Sequence, residues 1–455
     1  MLNIKIDSRK IKPGDTFVAI RGIELDGHDY IKEAINNGAT KIIAEEGQYT
    51  VETLIVPNTK EYLAKYLKST YQEQLKDINF IGVTGTNGKT TTCYLIYKLL
   101  NILGNKTAYI GTIGFYLNDK ETQLANTTPG ITDLYEMFLS CAAKGIKNII
   151  VEVSSHALEL NRVGQIMFDA VAFTNLTQEH MDFHLTMGNY SNSKQKLFKQ
   201  LKPTGYAVIN GDDDYYTDFI LPENKNIILG FNEKADYKII DYKLEFDKST
   251  FEFTHQDKTY KTTINLPGKY NIRNFLTALI IVNQMGYSIE TILESVDLLQ
   301  APPGRMDSIK YKDSLIIIDY AHTPDAVLNV LNAATAFKKG KIITVVGCGG
   351  NRDKIKRPIM GDIATKLSDY VIFSNDNPIT EDEKAIMNDI TKDLKQTNYE
   401  IIYDREKAVE KAIDMLDQKD MLFLLGKGHE TYQIIGNERI PYNDRETAIK
   451  YIANK

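Results

Sequence analysis

The chain has 455 residues, of which 43% are hydrophobic and 25% are charged. This composition is typical of globular proteins and excludes disorder as the main state, and the length favours about three domains. No apolar run approaches the roughly 18 residues of a membrane-spanning helix, and the N-terminus lacks the apolar core of a signal peptide. The 54 basic and 60 acidic residues give a net charge of -6, which argues against nucleic-acid binding. Three widely spaced cysteines exclude a disulfide framework and a Cys-rich zinc site, so we expect a cytoplasmic protein.

The first part of the chain alternates strand and helix patterns. Residues 1–77 predict a small α/β unit with a helix over 60–73 and three short strands, which lie at 16–20, 40–44 and 53–56. A buried strand at 78–83 then leads into a glycine-containing loop and a long helical pattern. Further strand patterns lie at 148–153, 170–174 and 206–210. This alternation predicts a parallel sheet that is covered by helices on both faces.

Two changes of pattern divide the rest of the chain. Residues 237–265 alternate apolar and polar positions without helices, which predicts an antiparallel insertion. The segment Ala301-Pro302-Pro303-Gly304 predicts a domain boundary, because consecutive prolines cannot continue a helix. A second α/β series follows, with strands at 315–318, 341–346, 370–374, 400–403 and 421–425. The sequence therefore predicts an α/β protein of three domains, with boundaries at 1–77, 78–304 and 305–455.

The letters TGTNGKTTT after the first central strand predict a phosphate-binding loop. Gly85 and Gly88 allow backbone N–H groups to approach phosphate oxygens closely. Lys89 would neutralise the β and γ phosphates, and Thr90 would offer its hydroxyl to Mg²⁺. The strict pattern requires a glycine where this chain has Val83, so a chance Gly-Lys-Thr turn remains an alternative. The loop by itself indicates only that a nucleoside triphosphate binds.

Polar side chains that follow other central strands narrow the chemistry. Glu152 ends an apolar strand, where it is placed to hold Mg²⁺ or else is a buried structural carboxylate. His180, Asp182 and His184 come shortly after the next strand, and their density favours a site over a structural histidine. Lys194 lies on a predicted helix, and composition alone assigns it to a solvated cationic face.

The C-terminal series also ends its strands in polar loops. Asp319 follows the first strand, a glycine-rich loop with basic residues spans 347–354, and Asp376 follows a third strand. The letters GKGHE at 426–430 follow the last one. A plain glycine turn is the alternative for the glycine-rich loop, but together the loops predict a pocket rim that faces the phosphate loop.

Five motifs in this order resemble the Mur ligase family: TGTNGKTTT, EVSSH, DYAHTP, GCGGNRDKIKRP and GKGHE. The resemblance covers essentially the whole chain and is closest to the members that add the third residue of the peptidoglycan stem peptide. It implies a UDP-binding N-terminal domain, a central P-loop ATPase domain and a Rossmann-like C-terminal domain that binds the incoming amino acid. It also implies amide formation on UDP-N-acetylmuramoyl-L-alanyl-D-glutamate through an acyl phosphate, with ATP and Mg²⁺. We expect a monomer that binds neither nucleic acid nor membranes.

The resemblance assigns roles residue by residue. The implied catalytic residues are Lys89, His180 and Lys194. The implied ATP contacts are Gly85, Thr86, Asn87, Gly88, Lys89, Thr90, Thr91, Asn271, Arg305 and Asp319. The implied Mg²⁺ ligands are Thr90, Glu152, His180 and Lys194, the last as a carbamylated lysine, which reverses its assignment to a solvated face. The implied contacts to the UDP-linked substrate are Ser8, Asn126, Thr127, Thr128, Ser154 and Arg162. The implied amino-acid contacts are Arg352, Asp376, Asn377, Pro378, Ile379, Gly426 and Glu430.

Two positions depart from the family pattern. Leu160 stands where related enzymes have a substrate-binding glutamine, so the resemblance does not imply that contact for this chain. Ile379 stands where enzymes that add meso-diaminopimelate have an arginine, which would form a bidentate pair with the distal carboxylate. Because isoleucine would leave that carboxylate poorly paired, we expect L-lysine to be preferred. The acidic candidates for the lysine ammonium group are Glu381, Asp382 and Glu383, whereas Lys354 or Lys356 could instead reach a distal carboxylate.

Other functions remain open at this point. The same ligase could use meso-diaminopimelate, or the chain could be another Mur-type ligase, such as a folylpolyglutamate or cyanophycin synthetase. The asparagine and threonines at 126–128 and the GKGHE letters argue against the latter two. A regulatory P-loop NTPase is a third hypothesis. It would hydrolyse ATP without an acceptor, whereas a ligase releases phosphate only when acceptor and amine are both present.

Overall fold

The computed structural model describes residues 2–22, 25–118, 120–245, 247–335 and 338–455. Within these ranges the chain forms three α/β domains in sequence, each with its own main sheet. The structure contains a counterpart of each strand that the sequence predicted and of the helix predicted over 60–73. The ends of these elements differ from the predicted ends by a few residues. No helix in the described part of the chain is long and apolar enough to cross a membrane.

The N-terminal domain is a parallel sheet of four strands in the order β1-β2-β3-β4. Its elements are β1 (Ile4–Lys5), β2 (Thr16–Val18), α1 (Ile31–Asn36), β3 (Lys41–Ala44), β4 (Glu52–Ile55) and α2 (Thr59–Leu75). Successive strand residues point to opposite faces, so Phe17 and Ile42 pack on α1 while Val18 and Ile43 belong to the core shared with the central domain. Asn58 starts α2 by accepting a hydrogen bond from the Glu61 N–H.

The first half of the central domain carries the phosphate loop. Its elements are β5 (Asn79–Thr84), α3 (Lys89–Ile102), β6 (Thr107–Gly111), β7 (Gly114–Leu117), β8 (Lys120–Thr122), α4 (Ile131–Ala143), β9 (Asn148–Glu152), α5 (Ser155–Glu159) and β10 (Phe168–Phe173). β5 lies between β10 and β9 and is parallel to both, so its C-terminal end meets theirs at one edge of the sheet. Ligands of open α/β sheets bind at that edge.

The second half of the central domain extends the same sheet. Its elements are α6 (Met181–His184), α7 (Met187–Phe198), β11 (Leu201–Asn210), β12 (Lys225–Gly230), β13 (Tyr237–Leu244), β14 (Ser249–His255), β15 (Lys258–Ile264), α8 (Lys269–Gln284) and α9 (Ile289–Glu294). The full strand order is β15-β14-β13-β12-β11-β10-β5-β9-β6-β7-β8. The predicted antiparallel insertion is confirmed for β13 to β15, which continue the central sheet through the parallel pair β12–β13.

The C-terminal domain has a six-stranded sheet in the order β16-β17-β21-β18-β19-β20. Its elements are β16 (Asp307–Tyr311), β17 (Ser314–Asp319), α10 (Pro324–Thr335), β18 (Ile342–Val346), α11 (Lys356–Leu367), β19 (Tyr370–Phe373), α12 (Glu383–Thr391), β20 (Tyr399–Ile401), α13 (Arg405–Asp414), β21 (Met421–Leu425), β22 (Tyr432–Ile435), β23 (Glu438–Pro441) and α14 (Asp444–Ala453). β17, β21, β18, β19 and β20 are parallel, so the predicted polar loops emerge at one edge. The hairpin β22–β23 is tied to one of these loops by an isolated bridge between Ile379 and Ile435.

Candidate active site

The loop between β5 and α3 has the backbone that a phosphate loop requires. Gly85 and Gly88 have φ of 147° and 86°, where side chains are strained. A Cβ on Gly85 would lie 1.9 Å from the Thr174 hydroxyl, and one on Gly88 would lie 2.5 Å from the Asn274 side-chain oxygen. Thr86 and Asn87 are held by the same neighbouring strand end, since the Thr86 N–H donates to the Asn175 carbonyl oxygen. Glycine is therefore required at both positions for two reasons: the backbone conformation, and the lack of space for a side chain.

The lysine of this loop folds back over it. Lys89 Nζ donates to the carbonyl oxygens of Gly85, at 3.0 Å, and of Thr86, at 2.8 Å. Burial is the main cause that lowers the pKa of Lys89, against the opposing charges of Glu179 and Glu152. The ammonium group thus lies at the loop that would hold phosphates.

The predicted pair of Thr90 and Glu152 is brought together. Thr90 Oγ1 donates to Glu152 Oε2 at 2.9 Å. The buried Glu152 carboxylate also accepts from the Tyr109 hydroxyl and from the N–H and hydroxyl of Thr112. No cationic side chain among the described residues forms an ion pair with it. A buried carboxylate beside a hydroxyl, without a protein counter-charge, fits Mg²⁺, which prefers oxygen ligands and retains water.

His180 directly precedes α6 in the polar run after β10. No group of three or more His, Cys, Asp or Glu in the described part of the chain is arranged to hold a metal, so Glu152 and His180 are not joined in such a cluster. His180 has φ of 57°, an uncommon conformation for a non-glycine residue, and its ring is perpendicular to that of His156 at 4.6 Å. Burial lowers the pKa of His180 to about 4.

Glu179 is a site residue that the sequence interpretation missed. Its carboxylate lies 3.7 Å from His180 Nε2 and 3.4 Å from Nε2 of His322, which belongs to the C-terminal domain. Burial acts to raise the pKa of Glu179, but the hydrogen bond to His322 and the neighbouring positive charges hold it well below its usual range. The sequence feature that could have indicated Glu179 is its position next to His180, in the polar segment after β10.

Lys194 is not on a solvated face, so the interpretation from composition alone was wrong. Its side chain is buried, and Nζ donates to the Gly85 carbonyl oxygen at 2.7 Å and lies 4.3 Å from the Tyr190 ring centre. Burial, and then the charge of Lys89, hold the pKa of Lys194 well below its usual range. The exposed cation of the helix is Lys196, which pairs with Glu159 at 2.6 Å.

Four of the predicted contacts to the UDP-linked substrate form one cluster beside Glu152. Thr128 Oγ1 donates to the Glu152 carbonyl oxygen, and Arg162 Nη1 donates to the Thr128 carbonyl oxygen at 3.0 Å. The Ser154 N–H donates to Thr128 Oγ1, while the hydroxyls of Thr127 and Thr112 are 3.0 Å apart. This cluster extends from the Thr90–Glu152 pair along the strand ends.

The two remaining predicted contacts line separate cavities. Asn126 lines one of about 330 Å³ at the start of α4. Ser8 lines another of about 440 Å³ between the N-terminal domain and α4, together with Lys10 and Thr132. Leu160, the residue that follows α5, lines neither of these two cavities.

The predicted nucleotide contacts surround a cavity of about 410 Å³ between the central and C-terminal domains. The predicted residues that line it are Asn87, Gly88, Thr91, Asn271, Arg305 and Asp319. Arg305 Nη2 donates to Thr90 Oγ1 at 3.3 Å, and the Asn87 amide donates to Asp325 at 2.7 Å, so both domains share this site. Burial raises the pKa of Asp319, against the charge of Arg305. The Tyr270 hydroxyl and Arg305 Nε are buried without partners in the described structure, and sequence reasoning had missed Tyr270.

The predicted amino-acid contacts meet where the loops after β18, β19 and β21 converge. We name the group Asp376, Asn377, Lys427 and Glu430 the amino-acid cluster. The Asn377 amide donates to Glu430 Oε2 at 2.9 Å, and Lys427 Nζ donates to the same oxygen at 2.6 Å and to Asn377 Oδ1 at 2.9 Å. Lys427 Nζ also lies 3.8 Å from Asp376. Lys427 is fully buried and was missed, although it stands between the selected Gly426 and Glu430.

The other predicted positions of this pocket lie at its edge. Gly426 has φ of 106°, and a Cβ there would lie 2.7 Å from Asp376 Oδ2. The carbonyl of Pro378 packs against Gly350, and Arg352 is exposed in the same glycine-rich loop. Ile379 has φ of 55°, which is unusual for a β-branched residue, and exchanges backbone hydrogen bonds with β22 and its turn.

The acidic residues expected to hold a lysine ammonium group have other partners. Glu381 accepts two hydrogen bonds from Arg357 and pairs with Lys354 at 2.9 Å. The hydrogen bond from Arg357 is the main cause that holds the pKa of Glu381 well below its usual range. Asp382 starts α12 by accepting from a backbone N–H, and Glu383 accepts from the Asn375 amide.

The basic alternatives for a distal carboxylate are occupied as well. Lys354 pairs with Glu381, and Lys356 Nζ donates to the His322 carbonyl oxygen at 2.9 Å. A further cation, Arg439 on β23, stacks over the Tyr432 ring at 4.6 Å, and Lys427 Nζ lies 5.8 Å from the same ring centre. Arg439 is exposed and has no carboxylate partner in the described structure.

A phosphate loop joined to a buried carboxylate, facing a second α/β domain with its own charged pocket, defines an ATP-dependent ligase of three domains. The family models agree: "Mur ligase family, catalytic domain" matches residues 2–76, "Mur ligase middle domain" matches 83–282, and "Mur ligase, glutamate ligase domain" matches 304–428. The chain therefore belongs to the Mur ligase family.

Similar proteins cover nearly the whole chain. A UDP-N-acetylmuramoyl-L-alanyl-D-glutamate--2,6-diaminopimelate ligase of Fusobacterium nucleatum is 42% identical over 99% of this chain and 94% of its own length. The ligase of the same name from Clostridium perfringens is 38% identical over 100% of this chain and 95% of its own length. A solved structure of a ligase with this name has a TM-score of 0.72 at 30% identity, covering 99% of this chain and 94% of that one. The Thermotoga maritima MurF ligase in complex with ADP shares the fold, with a TM-score of 0.67 at 21% identity over 100% of this chain and 97% of that one.

Proposed function

We propose that this ligase adds meso-diaminopimelate to UDP-N-acetylmuramoyl-L-alanyl-D-glutamate in the cytoplasm, as a monomer. The names of the relatives support this amino acid, and they do not support the preference for L-lysine that Ile379 suggested. The observation that carries the ligase reaction itself is the contact of Arg305 with Thr90, because it joins the phosphate loop to the domain that holds the amino-acid cluster. We further propose that the domain boundaries lie after residues 77 and 304. Limited proteolysis would test these positions.

The reaction needs an activated carboxylate, because a carboxylate is a poor electrophile until one oxygen becomes a leaving group. In the proposal, the γ-phosphoryl group of ATP is transferred to the D-glutamyl carboxylate, giving ADP and an acyl phosphate. The amine then attacks the carbonyl carbon and releases one of its protons, the C–O bond to phosphate breaks with its electron pair, and phosphate leaves. Lys89 and Arg305 would stabilise the negative charge of the transferred group.

Two features of the central domain would support phosphoryl transfer. Thr90 and Glu152 would hold Mg²⁺, which neutralises phosphate charge when it is bound. Lys194 would be carbamylated: its neutral amine adds to CO₂, forming an N–C bond and releasing a proton. The lowered pKa of this buried lysine supports the modification, because only the neutral amine is a nucleophile.

The pocket of the C-terminal domain fits a substrate with two charged ends. Glu430 has one oxygen bound by Lys427 and Asn377, which leaves the other to accept an ammonium group. The acids that the lysine hypothesis needed are engaged elsewhere, whereas Arg352 and Arg439 are exposed cations at the rim. Arg439 would bind the distal carboxylate that Ile379 cannot bind. It lies on β23 opposite Ile434, whose carbonyl oxygen accepts from the Ile379 N–H.

A substrate comparison tests the proposal. The purified enzyme is given ATP and UDP-N-acetylmuramoyl-L-alanyl-D-glutamate with meso-diaminopimelate, L-lysine or L-ornithine, and kcat/KM is measured from phosphate release. We expect at least a tenfold preference for meso-diaminopimelate and no release without the acceptor. A tenfold preference for lysine would restore the argument from Ile379, and acceptor-independent hydrolysis would indicate a regulatory NTPase.

A further inference from the structure

Tyr109 is a buried residue of β6 whose hydroxyl donates a hydrogen bond to Glu152 Oε1. β6 pairs with β9 in parallel, and Tyr109 lies opposite Ile150 in that pair. Glu152 is two residues further along β9, so its side chain points to the same face of the sheet as Ile150. The register of the sheet therefore places the tyrosine ring diagonally across from the carboxylate, within reach of it.

Other aromatic rings hold the Tyr109 ring in place. It packs edge-to-face on Tyr116, with 5.6 Å between the ring centres, and on Tyr94, with 6.5 Å. The ring of Tyr97 packs on it at a tilted angle, with 6.2 Å between centres. Offset and edge-to-face arrangements of this kind are the ones that aromatic pairs prefer. The ring is thus fixed by its neighbours, and Glu152 is hydrogen-bonded to a donor that has a fixed position.

The two oxygens of Glu152 have different partners. Oε1 accepts from the Tyr109 hydroxyl and from the Thr112 N–H, at 3.0 Å. Oε2 accepts from two threonine hydroxyls, that of Thr90 at 2.9 Å and that of Thr112 at 3.0 Å. A threonine hydroxyl hydrogen can rotate away to another acceptor, whereas a backbone N–H cannot. Oε1 is therefore the anchored oxygen, and Oε2 is the oxygen on the Thr90 side that can bind a cation.

The side of the carboxylate that carries Oε1 is closely packed. A Cβ on Gly111, which ends β6, would collide with both Glu152 Oε1 and the Tyr109 hydroxyl. These two groups therefore occupy the space beside the Gly111 backbone. A cation that approached Oε1 would have to displace the tyrosine hydroxyl, whereas a cation at Oε2 would lie next to the first residues of α3 and the phosphate loop.

We propose that Tyr109 is a positioning residue that fixes the Glu152 carboxylate so that Oε2 alone is offered to Mg²⁺. Mg²⁺ requires near-ideal octahedral geometry and keeps several of its waters, so a single oriented oxygen suits it. Ca²⁺ takes more oxygen ligands in flexible geometry and often uses both oxygens of one carboxylate. By occupying Oε1, the Tyr109 hydroxyl favours Mg²⁺ over Ca²⁺. The inference rests on the proposed Mg²⁺ site, but it does not depend on which amino acid the ligase adds.

The experiment measures how a metal changes nucleotide affinity, so it requires no turnover. The full-length wild type and Tyr109→Phe are titrated by calorimetry with the β,γ-methylene analogue of ATP, in EDTA and at increasing Mg²⁺ or Ca²⁺. The metal concentration that gives half of the gain in nucleotide affinity is the apparent Kd for that metal. Tyr116→Phe is the matched control, because its ring contacts Tyr109 while its hydroxyl donates to Glu121. Glu152→Gln tests the proposed Mg²⁺ site itself.

We expect Tyr109→Phe to raise the apparent Kd for Mg²⁺ about tenfold, as is typical when a partner that orients a metal ligand is removed. The apparent Kd for Ca²⁺ should change by less than about threefold, because the released carboxylate can bind that ion with both oxygens. Nucleotide affinity in EDTA should be nearly unchanged, which also shows that the variant folds. Tyr116→Phe should match the wild type in every titration.

Four results would overturn the role of Tyr109. Mg²⁺ binding by Tyr109→Phe that is unchanged or tighter would show that the hydroxyl does not orient the carboxylate. Equal losses for Mg²⁺ and Ca²⁺, or a loss of nucleotide affinity in EDTA, would indicate a purely structural residue. An equal loss in Tyr116→Phe would assign the effect to ring packing.

The Glu152→Gln variant distinguishes failure of this inference from failure of the proposed Mg²⁺ site. If Glu152→Gln keeps the full gain in nucleotide affinity with Mg²⁺, the proposed site is wrong and the role of Tyr109 is overturned with it. If Glu152→Gln loses the gain and Tyr109→Phe keeps it, the Mg²⁺ site stands and only the role of Tyr109 is refuted.

Discussion

The phosphate loop and the amino-acid cluster are built from different parts of the chain. At the phosphate loop, Lys89 and Lys194 both donate to backbone carbonyl oxygens, and the backbone is set by two glycines. In the amino-acid cluster, Asn377, Lys427 and Glu430 bind one another through side chains from two loops. The first site therefore depends on local backbone conformation, and the second depends on every charged member being present.

This difference predicts different sensitivities. A side-chain cluster that buries a lysine with carboxylates loses its charge balance when one member is removed. A backbone-built loop keeps its shape when a side chain is removed and loses only the chemistry of that side chain. The predictions that follow separate these two behaviours, beginning with the largest effect.

Lys89→Ala should reduce ligation by about a thousandfold or more, because it removes the charge that faces the transferred phosphoryl group. The melting temperature should change little, since the loop is held by glycines and by strand contacts. Phosphate release and thermal unfolding measure the two effects. Lys98→Ala, on the same helix but over tyrosine rings, is the control and should remain active. A folded Lys89→Ala protein with near-normal turnover would contradict the assignment of the phosphate loop.

Lys194→Ala should be nearly inactive and should be partly rescued by short carboxylates, which would replace the proposed carbamate. Activity with and without added formate or acetate is the measurement. Lys196→Ala is the matched control, because Lys196 lies on the same helix, is exposed and pairs with Glu159. Full activity of Lys194→Ala without any additive would show that the buried lysine is only structural.

Lys427→Met should raise the KM for the amino acid about a hundredfold and leave the KM for ATP within about twofold, because breaking a buried charge pair costs about 3–5 kcal/mol. Part of that cost should appear as a lower melting temperature. Lys354→Met is the control, since Lys354 is exposed and Glu381 keeps its two hydrogen bonds from Arg357. Equal changes in both KM values would show that the cluster does not belong to the amino-acid site.

Arg439→Gln should lower kcat/KM for meso-diaminopimelate about tenfold and leave the value for L-lysine unchanged, because only the former carries a distal carboxylate. Arg439→Lys keeps the charge and should retain most of the activity. Steady-state kinetics with both amino acids provide the measurement. If Arg439→Gln lowers kcat/KM equally for both amino acids, another residue binds the distal carboxylate.

Ile379→Arg should raise kcat/KM for meso-diaminopimelate a fewfold, because it adds a second cation beside Arg439, and should not help L-lysine. Replacing a β-branched residue at positive φ should also leave stability unchanged or slightly higher. The same kinetic assay and a thermal melt test both points. A gain with lysine would mean that position 379 does not face the distal carboxylate.

The sequence predicted the strands and the phosphate loop well because their signals are local. Buried parallel strands are apolar runs, and the glycines at 85 and 88 mark a backbone that other residues cannot adopt. The sequence did not predict some short strands, such as β8 and β23, whose residues are all exposed. These segments lack an apolar pattern and are strands because they pair with a neighbouring strand. The antiparallel insertion was predicted from its alternation, but its continuity with the central sheet was not.

In the amino-acid pocket, the sequence did not predict which charged residues contact one another. Ile379 alone suggested lysine, and Glu381 was offered as its partner, because both residues are close to the Asp-Asn-Pro letters. Only the tertiary structure shows that Glu381 is held by Arg357 and that Arg439 is brought beside the loop by a hairpin. Neighbours in sequence are not neighbours in space when a site is assembled from several strand ends.

The sequence by itself determined the order of the domains, the parallel sheets and the phosphate loop, because apolar periodicity and glycine conformation act over a few residues. The tertiary structure alone decided the burial of Lys194 and the charge balance around Lys427. These depend on desolvation and on charges from distant segments. Desolvation and these distant charges act only once the chain has folded, so a local sequence pattern does not predict them.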